Sequence, residues 1–303
     1  MSASLAAPPV RRPRGREGAF VPVLAVVLAL VAVWYAGAYV LNRPQVMDAF
    51  ARQKVEPDFE SLVAATWSME RPVLPAPHQV AAELWKTTVE QRITSKRSLV
   101  FHGWITLSST LVGFAIGTAL GILLAVAVVH VKSLEKSLMP WIVASQTIPI
   151  LAIAPMVVVV LNAVNITGLL PKAVISTYLS FFPVTVGMVK GLRSPEILHL
   201  DLMRTFSASA WQTFWKLRLP GSVPFLFTSM KVGVAASLVG AIVAELPTGA
   251  VSGLGARLLS GSYYGQTVQI WAALVAASLL AAALVTIVGA IDRLVVRRMG
   301  MAR

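Results

Sequence analysis

The sequence contains no cysteine and few charged residues. Of its 303 residues, 13% are Asp, Glu, Lys or Arg, whereas a soluble domain carries about 25%. The lack of cysteine excludes disulfides, thiolate metal sites and a cysteine nucleophile. Because 56% of the residues are apolar, the folded chain needs lipid to cover its surface. The composition therefore indicates an integral membrane protein.

Sequence motifs for catalysis and nucleotide binding are also missing. No G-x-x-x-x-G-K-[ST] pattern is present, which excludes a P-loop nucleotide site. No H-E-x-x-H pattern, no paired carboxylates and no serine in a nucleophile elbow occur. The four histidines are scattered near predicted interfaces and loops, at His78, His102, His130 and His199. We therefore predict no catalytic residues, no metal, no cofactor and no enzymatic activity.

Long apolar segments dominate what is present. A membrane-spanning helix needs roughly 20 mostly apolar residues, and six segments qualify, at about 20–41, 105–129, 138–161, 171–190, 222–244 and 268–291. They are rich in Leu, Ala and Val without strand-like alternation, which favours helices. The fold class predicted is all-α, with six transmembrane helices. Lys172 lies at the start of the fourth segment, where a lysine can snorkel to the interface.

The basic residues indicate the topology. They concentrate in the tail 1–19, in the loops after the second and fourth spans, and in the tail 296–303. Short basic loops mark the cytoplasmic side, so both termini are predicted to be cytoplasmic. The net charge of +13 then reports topology rather than nucleic-acid binding. Segment 42–104 is predicted to be external, with an amphipathic helix following "VLPAP", and 105–295 forms the membrane core.

The first apolar segment has two interpretations. Ala36-Gly37-Ala38 resembles a signal-peptidase site. The apolar run of about 20 residues exceeds the roughly 7–15 of a signal-peptide core, which favours a retained first span.

Few ionisable residues fall within the spans. Lys172, Lys231 and Glu245 are the main ones, and a proton- or sodium-coupled transporter usually needs a relay of intramembrane carboxylates. Uphill transport would therefore need an external motor. Residues 233, 237, 241 and 245 share one helical face of small residues, so Glu245 is predicted to face protein rather than lipid.

The third span contains two prolines and two polar residues. In "SQTIPILAIAP", Pro149 and Pro155 interrupt the helical hydrogen bonding next to Gln146 and Thr147. Either a bent helix lines a polar path here, or these residues form a buried hydrogen bond between helices. The candidate translocation-path residues are Gln146, Thr147, Pro149 and Glu245.

The second span carries glycines four residues apart, at 113, 117 and 121. Such a stripe lets another helix approach closely. Packing within the chain is favoured over a contact between two copies.

The loop between the fourth and fifth spans carries a family resemblance. The stretch "DLMRTFSASAWQTFWKLRLP", residues 201–220, resembles the cytoplasmic loop of permeases of binding-protein-dependent ABC importers. "LPAPHQV", "SQTIPILAIAP" and "GAIVAE" followed by "SGLGARL" are also similar to this family, so the resemblance covers roughly 72–295. It implies a type I importer permease fold of the nitrate, sulfonate and taurine branch, in a bacterial inner membrane.

The resemblance also implies a role for loop 193–220. In the family this loop forms two short helices that dock on a cytoplasmic ATPase, present in two copies, beside a second permease (the same or a different chain) and an external solute-binding protein. The implied ATPase-coupling residues are Asp201, Arg204, Thr205, Phe206, Ser207, Ala208, Trp211 and Pro220. The aromatic stripe Trp211, Phe214 and Trp215 fits an interface anchor, although tryptophans also lie well on lipid headgroups.

The loop departs from the family pattern at four positions. Asp201 replaces the family's glutamate, Leu202 and Met203 replace two alanines, and Ser207 replaces a glycine. We predict a turn at Ser207, with its hydroxyl capping a second helix that ends at Pro220. The weakened pattern suggests pairing with a different permease.

Two other functions remain open on the residues alone. The chain could be an energy-independent channel or facilitator, or a membrane scaffold that recruits soluble partners through the same loop. Neighbouring genes for an ATPase and a secreted binding protein would favour the importer.

Overall fold

The computed structural model describes residues 20–246 and 252–300, within which the regular elements are helices and no strand occurs. The α-helices are α1 Phe20–Gln53, α2 Phe59–Trp67, α3 Pro77–Trp85, α4 Leu99–His130, α5 Lys132–Ala144, α6 Ile150–Ala163, α7 Leu169–Leu192, α8 Ile197–Thr205, α9 Ala210–Thr213, α10 Leu219–Glu245, α11 Leu254–Tyr263 and α12 Thr267–Arg298. Short π-helical turns follow α3 and α9, and a 3-10 turn follows α5. The basic tail expected at 1–19 and the last residues of the tail 296–303 lie outside the described residues.

The described residues of the first compact unit are 20–80. Its helix α1 has 34 residues and continues well past the predicted boundary at residue 41. Asn42 is fully buried in this unit. Its Nδ2 donates to the carbonyls of Thr66 (3.1 Å) and Leu74 (2.9 Å), and its Oδ1 accepts from the Val73 N–H at 2.8 Å. One amide side chain thus holds the segment after α2 against α1.

Within the second unit, residues 81–303, α7 lies between α4 and α10 and packs extensively against both. The glycine stripe of α4 explains the contact with α7. A β-carbon added at Gly113 would meet the β-carbon of Ser176, and one added at Gly117 would meet the Ser180 hydroxyl. The two backbones therefore lie in direct contact, as small residues allow in membranes. Packing within the chain, which the sequence favoured for these glycines, is confirmed.

The third predicted span is not a single helix. Residues 138–161 are divided between α5 and α6, which are inclined by 100°. The break falls at Pro149, and the preceding Ile148 is extended at φ −81°, ψ 122°, because proline excludes the α conformation from the residue before it. Pro155 lies inside α6 without ending it. Among the described residues, five helices are long and apolar enough to span a membrane, or six if this bent pair is one span.

Candidate functional site

The loop between α7 and α10 folds as two short helices joined by a turn. Helix α8 ends at Thr205 and α9 begins at Ala210. Ser207 lies between them with a left-handed backbone, φ 50°, and its N–H donates to the Arg204 carbonyl at 2.9 Å. The predicted turn at Ser207 is therefore confirmed. A side chain in this region costs roughly 1–2 kcal/mol relative to the right-handed conformation, which explains why the family uses glycine here.

The cap of the second helix differs from the prediction. Ser209, not Ser207, is the N-cap residue: its Oγ accepts from the Gln212 N–H at 3.2 Å. Gln212 Oε1 in turn accepts from the Ser209 N–H at 2.9 Å, which completes a capping box. Ser207 cannot cap because its own backbone forms the turn. The spacing Ser-x-x-Gln in "SAWQ" was the sequence signal for the correct position.

The second helix does not end at Pro220. It runs from Ala210 through a π turn at Phe214–Arg218 into α10, as one apolar helix of 36 residues up to Glu245. Proline lacks an N–H and its ring crowds the carbonyl four residues earlier. The wider π turn directly before Pro220 accommodates this gap in the hydrogen-bond ladder. Residues 210–218 of the loop and the fifth span are thus one continuous element.

The aromatic stripe is divided between the protein interior and the surface. Phe214 is 9% exposed and packs into a core cluster with Ala125, Met188 and Leu192. Trp211 is 69% exposed, and its ring lies 5.4 Å from that of Trp215. Phe214 therefore fixes the helix to α4 and α7, and Trp211 together with the exposed Trp215 forms an aromatic surface.

Charged groups surround this aromatic surface. Asp201 accepts from Arg204 at 2.8 Å within α8, and both side chains are exposed. Arg204, Arg218 and His130 line a pocket of about 340 Å³ beside α9. Of the remaining candidates, Thr205 and Phe206 are exposed, and Ala208 and Pro220 are half-buried. The loop thus presents an exposed tryptophan next to a basic pocket.

Three of the four path candidates lie together at the bend between α5 and α6. Gln146, Thr147 and Pro149 are all exposed there. The bend is fixed to α7 because the Tyr178 hydroxyl donates to the Ser145 carbonyl. The structure therefore places a polar, exposed corner where the sequence predicted a bent helix.

Glu245, the fourth candidate, lies in a separate buried cluster. Its side chain is fully buried, which confirms the prediction that it faces protein. It accepts from Thr106 Oγ1 at 3.0 Å, from Lys172 Nζ at 3.2 Å and from the Gly255 N–H at 2.9 Å. Lys172 does not snorkel to the interface, since it pairs with Glu245 inside the protein. Two opposite charges within apolar spans were the available signal for this pair.

Comparison with known proteins adds independent information. Residues 117–301 match the family described as binding-protein-dependent transport system inner membrane component. The chain is 30% identical to the riboflavin transport system permease protein RibX of Chloroflexus aurantiacus, over 74% of this chain and 80% of that protein. It is 31% identical to the formylaminopyrimidine transport permease protein ThiX of Halalkalibacterium halodurans, over 67% of this chain and 79% of that protein. The nitrate import permease protein NrtB of a Synechocystis strain is 23% identical, over 59% of this chain and 64% of that protein.

Proposed function

Because the chain belongs to the family of inner-membrane components of binding-protein-dependent transport systems and is a permease subunit of an ABC importer, we propose that its loop 193–220 is the docking site for the ATPase. The observation that carries this proposal is Trp211, which is 69% exposed on a helix that Phe214 holds rigidly in place. Exposed aromatic residues on a fixed support are typical anchors of protein interfaces. The continuous helix 210–245 would carry the movement of the docked ATPase into the membrane.

The charges support a specific mode of docking. The exposed pair Asp201–Arg204 can open at little cost, because exposed ion pairs contribute only about 0–1 kcal/mol. Asp201 would then pair with a basic residue of the ATPase, while Arg204 and Arg218 attract acidic residues toward the pocket that they line. Thr205, Phe206, Ser207, Ala208 and Pro220 complete the docking surface.

The complex would contain two ATPase subunits, a second permease and an external solute-binding protein. ATP hydrolysis belongs to the ATPase subunits, and this chain has no enzymatic activity. The chain is a multi-pass inner-membrane protein. With both termini cytoplasmic, as the basic loops favour, loop 193–220 faces the ATPase and segment 42–104 is external. The solute would cross between the paired permeases by alternating access, past Gln146, Thr147 and Pro149, whereas Glu245, which is fully buried, would not line the path.

The relatives narrow the class of solute. Two proteins about 30% identical to this chain are named for transport of riboflavin and of formylaminopyrimidine, both nitrogen-containing aromatic rings. We expect a nitrogen heterocycle to bind best in a ligand screen of the partner binding protein. Preferential binding of nitrate or an aliphatic sulfonate would instead favour the class of the relatives with lower identity.

Two measurements test the proposed docking and energy source. The ATPase should be recovered with this chain from solubilised membranes of the native host, and the Trp211→Ala variant should recover far less. Uptake into vesicles that contain the whole complex should continue in the presence of a protonophore while internal ATP is maintained. Uptake that stops with the proton gradient, or that proceeds without ATP, would instead support an ion-coupled transporter or a facilitator.

A further inference from the structure

The start of α11 and the two residues before it are fixed by buried side chains from three helices. Four consecutive residues, 252–255, each use a backbone group for this. The Ser252 carbonyl accepts from Lys172 Nζ at 3.1 Å, and the Gly253 N–H donates to His102 Nδ1 at 2.9 Å. The other two bonds are from the Leu254 N–H to Thr106 Oγ1 (2.9 Å) and from the Gly255 N–H to Glu245 (2.9 Å). We call His102, Thr106, Lys172 and Glu245 the clasp.

The clasp residues also bond to one another and are buried. Thr106 Oγ1 donates to the Glu245 carboxylate, and Lys172 forms an ion pair with it at 3.2 Å. His102 is 2% exposed and its Nε2 bonds to the Lys96 carbonyl at 2.9 Å, which leaves Nδ1 to accept from Gly253. A buried polar network of this kind holds one arrangement strongly because breaking any part leaves other groups without partners.

Residues 253 and 255 have no space for a side chain larger than that of glycine. Gly253 has φ 124°, and a β-carbon there would overlap the Glu245 carboxylate. A β-carbon at Gly255 would overlap the carbonyl of Ile242. The two glycines therefore let the chain pass directly against the end of α10, and α11 begins at Leu254 with its first N–H groups already bonded.

The clasp lies at the opposite end of α10 from the proposed docking loop. Helix α10 has 27 residues, which corresponds to about 40 Å at 1.5 Å per residue. Helix α11 packs against α12 and leaves Tyr263 and Tyr264 more than 70% exposed at its end. If the loop faces the cytoplasm, this exposed end lies on the side where the solute arrives.

From these contacts we infer that Lys172, Glu245, Thr106 and His102 are positioning residues for transport. They hold α11 at a fixed place against α4, α7 and α10, and so set the surface that the external binding protein meets. Their role is to place α11 rather than to contact the solute. The external location of α11 rests on the proposed function, in which loop 193–220 is cytoplasmic; the contacts of the clasp do not.

Because this chain contains no cysteine, a single cysteine introduced into it can be labelled in the complex in nanodiscs, and its labelling can be read from the separated subunit. Leu254→Cys reports on the clasp, since Leu254 is 1% exposed, and Tyr263→Cys on the same helix is the control, since Tyr263 is 78% exposed. A water-soluble maleimide should label position 263 quickly and position 254 slowly. Adding Glu245→Ala should speed labelling at 254 by at least about 10-fold and leave position 263 within about 2-fold, because local opening exposes only the released segment. Unchanged labelling at position 254 would overturn the inference.

Thr106 offers a matched pair of variants that does not disturb the charges. Thr106→Ser keeps the hydroxyl that accepts from Leu254 and should label like the parent. Thr106→Val has a similar shape without the hydroxyl and should label faster at position 254. Equal labelling of the two variants contradicts the clasp, and this pair decides the matter if Glu245→Ala fails to fold.

A charge swap separates the clasp from a simple ion pair. Lys172→Glu combined with Glu245→Lys restores opposite charges but removes the acceptor that faces the Gly255 N–H. The cysteine at position 254 should therefore still be labelled faster in the swapped variant than in the parent. A labelling rate as slow as that of the parent would show that the ion pair alone holds the segment.

Recovery of the ATPase, measured on the same samples, should stay within about 2-fold of the parent for Thr106→Val, since exposed contacts about 40 Å away are independent of the clasp. If the docking proposal is wrong, Trp211→Ala will recover the ATPase as well as the parent does, and the labelling rates at position 254 will be unaffected.

A kinetic measurement connects the clasp with transport. ATP hydrolysis by the reconstituted complex is followed against the concentration of its external binding protein, purified with the solute it carries. Thr106→Val should raise the half-saturating concentration of binding protein several-fold and leave the rate at saturation near that of the parent. Thr106→Ser should restore the parent value, and a Thr106→Val complex with only a lower maximal rate would contradict a positioning role.

Discussion

The two ends of the helix 210–245 are built differently. At its start, Trp211 is exposed and the hydrogen bonds of the capping box connect residues three apart in sequence. At its end, Glu245 is fully buried and bonds to Thr106 and Lys172, which are 139 and 73 residues away. The start can change partners without disturbing the fold, whereas the end cannot.

The same distinction applies to the two ion pairs. Asp201–Arg204 is short, at 2.8 Å, but its side chains are 52% and 80% exposed. Lys172–Glu245 is longer, at 3.2 Å, but its side chains are 11% and 0% exposed. Water competes for the first pair and is excluded from the second, so the burial of a pair, rather than its length, indicates how much its loss costs.

The largest expected effect comes from breaking the buried pair. Glu245→Ala removes the counter-charge of the buried Lys172 ammonium and the acceptor of the Gly255 N–H, and should destabilise the fold by about 3–5 kcal/mol. Thermal unfolding in detergent, or the yield of folded protein, measures this. Asp201→Ala breaks the exposed pair as a control and should cost less than about 1 kcal/mol. Similar losses for the two variants would contradict the distinction drawn here.

Trp211→Ala should change partner binding rather than folding. Truncating an interface anchor costs about 2 kcal/mol or more of binding free energy, so the affinity for the ATPase should fall by about 30-fold. The midpoint of thermal unfolding should stay nearly unchanged. Trp104 is a matched control, because it is 67% exposed at the start of α4, and its alanine variant should bind the ATPase normally. A Trp211→Ala complex that retains the ATPase fully would place the docking surface elsewhere.

Gly117→Ala tests the close approach of α4 and α7, the two helices against which both ends of the helix 210–245 pack. The new methyl group would overlap the Ser180 hydroxyl, and overpacking of this kind costs about 1–3 kcal/mol. Gly103 in the same helix has open space around it, so Gly103→Ala should be neutral or slightly stabilising. Denaturation in mild detergent compares the two, and equal stabilities would argue against direct backbone contact.

The smallest effects concern the turn in the docking loop, where two serines should respond with opposite signs. Ser207→Gly relieves the left-handed backbone at φ 50° and should stabilise the loop by about 1 kcal/mol. Ser209→Ala removes the capping box and should destabilise it by about 1 kcal/mol. Hydrogen exchange of the loop amides measures both, and a Ser207→Gly loop that exchanges faster would refute the strain.

Restoring the family residues completes this series. Asp201→Glu with Ser207→Gly should leave ATPase coupling intact or improved. Loss of transport in this variant would mean that the departures are adapted to the cleft of this ATPase. Recovery of an active complex that contains two copies of this chain and no other permease would end the suggestion of a different permease partner.

Loop 193–220 was more predictable than the clasp because its interactions are local. The turn at Ser207 and the two short helices depend on residues within a few positions of one another. The prediction named Ser207 instead of Ser209 as the N-cap because the Ser-x-x-Gln spacing was overlooked. Glu245 could be assigned to a packed face from helical spacing. The opposite charges of Lys172 and Glu245 were a signal for their pairing, but the contact with Thr106 could not be predicted, because it depends on how α4 and α10 pack together. The sequence predicts a kink at Pro149 but not its angle of 100°. The angle depends on contacts between distant residues, such as that between Tyr178 and Ser145.

The uninterrupted helix from Ala210 to Glu245 has a mechanical consequence. With 36 residues, it is about 54 Å long at 1.5 Å per residue. Rotating such a rod by about 10° about one end displaces the other end by roughly 9 Å, nearly the distance between packed helix axes. A small tilt imposed at Trp211 would therefore be amplified on its way across the membrane. The points most able to bend are the π turn and Pro224, which both lie near the start of the helix.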